Sequence, residues 1–322
     1  MLISGSVGFT LLFHEKSNKY VLVLADIHDG VEYCSTYLNE LDINKLINNL
    51  KTSHLTSKSG FSRLEKVYKL TGLKMSIGIA DLLNELSQSY NILLEETIKK
   101  ESSKLTDLWP GSHHTQKLKQ LSIENNNIRP VDIRPLLIPF SWEILGNPTN
   151  ANPFIILQYS TMKLKKYLGK IIDLFNLKDS RLVSLYIRPE IKKLEDTMKF
   201  KYSVKSHFFE LRKLFMEFLI KHELELEMTL GEIYESDSIL LEEINYIISC
   251  IMEWYTIVLI HNSALNTVIH LGLAHTDNII KLLTNVYQFK VITQSGLNQM
   301  LDINDEAKSC VFVPPKVREI FG

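Results

Sequence analysis

The chain has 322 residues, 45% hydrophobic and 23% charged, with a formal net charge of −1 from 36 basic and 37 acidic residues. This length fits one large domain carrying an insertion, or two domains, and the composition is that of a globular protein with a large core. There is no basic surplus for general nucleic-acid binding, so no nucleic-acid partner is expected.

Three cysteines, Cys34, Cys250 and Cys310, are odd in number and far apart. No CxxC or Cys/His zinc spacing appears, so no disulfide framework is expected and a reducing, cytoplasmic setting fits the pattern. The amino-terminal "MLISGSVGFTLLFHEK" lacks a basic leader region and reads as strand rather than signal peptide.

In chain order, "VGFTLLF" (7–13) and "KYVLVLA" (19–25) are short β-forming runs joined by the turn-like "HEKSNK", which predicts a hairpin. Helical periodicity follows in "STYLNELDINKLINNL", "SRLEKVYKL" and "IGIADLLNELSQ". "NILLEE" (91–96) is an apolar strand ending in Glu95 and Glu96, and "HTQKLKQLSIEN" is a further helix. The segment "NIRPVDIRPLLIPFSWEIL" (127–145) carries prolines that favour extended geometry, and it brings Arg129, Asp132 and Arg134.

"GNPTNANP" (146–153) reads as a linker. Beyond it, glycine nearly disappears and long helical patterns run from about 154 to 261. Within them, the apolar "YIISCIMEWYTIVLI" (246–260) contains Glu253 and is shorter than the roughly 20 residues of a membrane span, so a buried helix is expected. The aromatic residues of "SHFFELRKLFMEFL" (206–219) recur at helical spacing and are assigned to the core.

The chain then returns to a βαβ pattern: strand 267–276, helix 277–288, strand 289–293. The expected architecture is therefore α/β, a mostly parallel sheet flanked by helices. Residues 1–150 and 262–322 would form the α/β domain, with 151–261 as a helical insertion or cap.

Four strands end in polar clusters: Asp26 and His28, Glu95 and Glu96, Asp132 and Arg134, and His275 after Gly272. Ligands of open α/β sheets bind outside the carboxyl ends of the strands, so parallel neighbours would gather these side chains in one pocket. Histidines and carboxylates there can position and deprotonate a water or hold one divalent metal ion, with Asp26, His28, Glu95 and His275 as candidate ligands. An arginine beside them can bind an anionic group. The catalytic candidates are His28, Glu95, Arg134 and His275. Alternation along a strand points Glu95 and Glu96 to opposite faces, with Glu95 the slightly preferred of the two.

The motifs "LADIHDG", "ILLEE", "VDIRP" and "GLAHT" together resemble the superfamily of TraB/PrgY, Tiki, erythromycin esterase and ChaN-like proteins. The sequence also resembles uncharacterised proteins of large DNA viruses, which would place it in host cytoplasm or virion. The superfamily resemblance implies this fold and an esterase- or peptidase-like hydrolase, acting on a small molecule or peptide, with or without a metal. Asp26 stands where that family has Gly or Glu, which leaves the exact chemistry open. "ADIHDG" also looks like the opening of a calcineurin-like metallophosphoesterase, but the later Gly-Asp and Gly-Asn-His blocks of that family do not occur.

Each candidate has a plainer role as well. Glu95 and Glu96 suit a helix start, and Arg134 suits a structural ion pair with Asp132 or Glu96. His113 and His114 read as loop and cap, His261 and His270 as core or edge, His207 and His222 as solvated, and Cys34 as an apolar thiol. The alternative to a hydrolase is a non-catalytic protein on an enzyme scaffold that binds a protein partner through its long helices.

Overall fold

The computed structural model describes residues 2–27, 76–98, 116–146, 153–176, 181–196, 201–302 and 310–321. His28, Cys34, His113, His114, most of the linker 146–153 and the helical patterns between 35 and 70 lie outside the described residues. The fold is α/β: a six-stranded, mostly parallel sheet flanked by helices, with a second sheet of three short strands.

Contacts divide the chain into two compact units. Unit 1 comprises residues 1–94, 114–129 and 265–322, and unit 2 comprises 95–113 and 130–264.

Unit 1 begins with β1 (Leu2–Ser4), β2 (Gly8–His14) and β3 (Lys19–Asp26). The expected hairpin forms with β2 antiparallel to β3, from Gly8 opposite Ala25 to His14 opposite Lys19. Its turn is a 3-10 segment, Glu15–Ser17, in which the Ser17 amide donates to His14 Nδ1 (3.2 Å) and Asn18 closes in the left-handed region at φ 50°. Next come β4 (Ser76–Gly78), α1 (Ile79–Leu86), β5 (Asn91–Thr97), α2 (Gln116–Glu124) and β6 (Ile128–Asp132). The chain returns through β7 (Thr267–Gly272), α11 (Leu273–Asn285), β8 (Lys290–Gly296), β9 (Cys310–Phe312) and α12 (Pro315–Phe321).

The large sheet runs β6-β5-β7-β3-β2-β8 and the small one β4-β1-β9. β3, β7 and β5 are parallel neighbours, in register at Leu24, His270 and Leu94. Every residue of β7 is buried, as a central parallel strand requires. β7, α11 and β8 form the expected crossover, but β8 lands at the far edge, against β2, rather than beside β7. There Val291 and Ile292 are exposed. Gly296 turns the chain at φ 74°, and a Cβ on Gly8 would overlap the carbonyl of Leu297.

One face of the large sheet packs Phe9, Leu22, Leu24, Ile92 and Val268 against Leu83 of α1 and Leu118 of α2.

Unit 2 holds α3 (Arg134–Leu137), α4 (Pro153–Ser160), α5 (Leu164–Tyr167), α6 (Gly169–Phe175), α7 (Arg181–Asp196), α8 (Lys201–Lys221), α9 (Leu230–Ser236) and α10 (Ser238–Asn262). The extended segment expected over 127–145 stops at Asp132. Pro135 lies in the first turn of α3, where its missing N–H costs nothing. The long helical pattern expected from about 154 opens instead with three short helices, and Lys163 leaves the helix between α4 and α5 to bridge Thr229.

α10 has the length and hydropathy of a membrane span, yet 78% of its most apolar window is buried inside the protein. Trp254 at its centre is 1% exposed, and its Nε1–H donates to the carbonyl of Val204 in α8 (3.2 Å). Phe208 and Phe215 of α8 pack on Phe175 of α6, which places the aromatic stripe in the core as expected, apart from the exposed Phe209.

Candidate functional site

Asp132 ends β6, and the chain turns at once into α3, so Arg134 stands two residues on and folds back over it. The Arg134 amide and Nε both donate to Asp132 Oδ1 (3.1 and 2.8 Å), and Nη2 donates to Oδ2 (3.0 Å). The same Nη2 donates to Glu95 Oε1 at 3.2 Å. Glu95 enters from β5, and the Ile98 amide just past that strand donates to the Asp132 carbonyl (3.1 Å). Two strand ends of unit 2 are thus joined by a planar guanidinium fork, a geometry suited to two carboxylates at once.

Glu95 and Asp132 are 5% and 2% exposed, so the cluster is nearly dry. Burial works against the Arg134 charge, but Asp132, Glu95 and the nearby Glu143 outweigh it and hold the guanidinium above its ordinary range. Glu143 sits on the 3-10 turn Trp142–Leu145 and accepts from the Ser141 hydroxyl (3.3 Å). Beside it, Tyr167 donates to the Phe140 carbonyl (2.7 Å), and burial together with Glu143 raises its phenol far above the usual value. The sequence singled out neither Glu143 nor Tyr167. An acidic residue in a proline-rich segment carries no signal of its own there.

The structure brings together Glu95, Asp132 and Arg134 from the expected set. The arginine bonds Asp132, one of the two ion-pair partners expected for it, and also Glu95, where the other expected partner was Glu96; Glu96 is buried as well.

Asp26 and His275 belong to unit 1. Asp26 is buried at the end of β3, opposite Gly272 of β7. α11 starts at Leu273, so His275 stands half-buried in the first helical turn and not in the strand expected over 267–276. Gly272 has φ −56°, which any residue adopts, so no left-handed turn explains that glycine. Asp277, expected near a helix start, lies in the second turn and pairs with Lys281 (2.9 Å).

Among the described residues, no group of three or more His, Cys, Asp or Glu could hold a metal ion. In the Glu95 and Asp132 cluster the cation is the guanidinium itself. The donor set described does not fit a divalent ion.

Other histidines differ from expectation. His207 is partly buried, and burial lowers it to about 4 despite Glu210. His222 is 9% exposed, bonded through Nε2 to Glu243 (2.9 Å). His270 is fully buried in β7, with Nε2 at 3.2 Å from the Gly5 carbonyl, as the core reading anticipated. Burial pushes the thiol of Cys250 in α10 up to about 12.

Comparison with protein families gives no matching family model, and comparison with curated proteins and with solved structures gives no match.

Proposed function

We propose that the chain is a hydrolase of a small molecule or peptide, with Glu95 as its working carboxylate. Arg134 and Asp132 act as positioning residues. The observation that supports this reading is the buried ion-paired group at the ends of β5 and β6, where a carboxylate is held by a guanidinium that is itself held by a second carboxylate. A carboxylate fixed in this way meets water in one orientation and can accept a proton as that water attacks an ester or amide carbon. The sequence motifs support the same reading and add Asp26, His28 and His275 as candidates. The test is a broad ester, peptide and phosphate hydrolysis screen of the full chain, with and without a chelator.

Glu95→Gln keeps the shape and removes the base. It is expected to lower kcat by about 100-fold or more with KM little changed. His28→Ala and His275→Ala in the same assay report whether a histidine shares the chemistry. Wild-type protein inert across the screen, or a Glu95→Gln variant as active as wild type, would rule the reading out.

A second reading has its own observation. Phe209 and Ile220 of α8 and the nearby Leu224 are 60%, 73% and 86% exposed, an apolar stripe on a long helix. The chain would then bind a protein partner through this face, and the Arg134 cluster would be a structural pin. Under this reading Phe209→Ser with Ile220→Ser abolishes partner capture and leaves any hydrolysis untouched.

A further inference from the structure

Unit 1 contains a cavity of about 240 Å³ between α1 and the carboxyl-terminal segment. Its walls are aliphatic, with Ile3 of β1, Leu86 of α1 and Val317 of α12 among them. The rings of Tyr90 and Phe321 also line it, with centroids 4.9 Å apart. The Tyr90 hydroxyl is committed to the Ile320 carbonyl (3.1 Å), so that ring offers the cavity only its apolar body. Among the described residues, none of the buried polar atoms left without a hydrogen bond belongs to the lining. A polar group pushed deep inside would therefore lose its water for nothing.

Among the described residues the lining carries one charged side chain, Glu85, with Ser89 a polar neighbour, and both are exposed residues of the segment that follows the start of α1. We propose that this cavity binds the hydrocarbon part of a small neutral or cationic amphiphile, with its head group outward beside Glu85 and Ser89.

Size sets the ligand. An apolar cavity of roughly 150 Å³ accepts benzene, and drug-sized molecules need roughly 300 Å³ or more. By proportion this cavity takes about nine or ten heavy atoms, the size of a short alkyl chain with a one-atom head. The carboxylate of Glu85 disfavours an anionic head on the same chain. The site is independent of the proposed hydrolysis, and its readout is binding alone.

The probes are n-octylamine, n-octanol and n-octanoate, titrated calorimetrically into the full chain. The amine and the alcohol are expected to bind one to one with sub-millimolar Kd, and octanoate at least tenfold more weakly than octylamine. Leu86→Trp and Val317→Phe each fill the cavity, and each should weaken octylamine at least tenfold in protein whose circular dichroism matches wild type. Without any substitution, octylamine should shift the ring resonances of Tyr90 and Phe321. Absence of saturable octylamine and octanol binding overturns the proposal, as do unmoved ring resonances. Equal affinity for octanoate, or binding untouched in a folded filled variant, overturns it as well.

Discussion

At the residue scale, the Asp132–Arg134–Glu95 group sets two side chains against each other energetically. Removing one partner of a buried ion pair strands the other charge and costs about 3–5 kcal/mol, whereas replacing the whole group with apolar residues is often neutral. Asp132→Ala is therefore expected to lose about that much in urea unfolding. The triple variant Glu95→Leu, Asp132→Ala, Arg134→Met, which removes the whole group, should recover much of the loss. A triple variant less stable than Asp132→Ala would mean that the guanidinium remains well satisfied by Glu95 alone.

His207 gives a pH dependence. Its folded value of about 4 lies below the ordinary 6.5, so the unfolded chain binds the extra proton between those values. Stability is then complete above pH 6.5 and falls as pH drops toward 4, by about 3 kcal/mol at most. Urea midpoints from pH 7 to 4.5 should decline less steeply in His207→Leu than in wild type. Spacing made the Arg134–Asp132 pair legible, since two residues apart at a strand end is within reach. The burial of His207 and His222 was not legible, because a histidine among charged neighbours looks solvated until the packing of its helix is known.

At the element scale, caps explain where the helical block is cut. Thr229 accepts from the Glu232 amide while Glu232 accepts from the Thr229 amide and hydroxyl, a reciprocal start to α9. Thr229→Ala is expected to cost about 1 kcal/mol, read as a lowered thermal midpoint, and Thr229→Ser to cost much less. The "T-x-x-E" spacing was present in the sequence, yet it lay hidden inside one long apolar pattern.

Elements with many periods, such as α10 and the β2–β3 hairpin, could be read directly from residue order. The three-residue strands β1, β4 and β9 could not, since three residues show no period and their pairing depends on contacts far along the chain. The boundary between β7 and α11 was misplaced for a related reason. "LGLAHT" is apolar enough for either state, and the glycine has no special backbone angle to mark the change.

At the scale of the whole molecule, the α/β class was readable because strand and helix periods alternate at both ends of the chain. The strand order was not, because periodicity says nothing about which strands become neighbours. That order has a consequence for handling the protein. Among the described residues β8 is the last strand of its sheet, and it presents Val291 and Ile292 to water on a chain whose pI is about 6.8. Neighbouring copies near neutral pH have almost no net repulsion to keep such strands apart. Strand-to-strand addition through β8 is thus the expected route to fibrils, and natural proteins guard such places with lysine. Val291→Lys with Ile292→Lys should raise the concentration at which light scattering first grows at pH 7, with thioflavin fluorescence falling in parallel; the unsubstituted chain should stay dispersed longest well away from its isoelectric point.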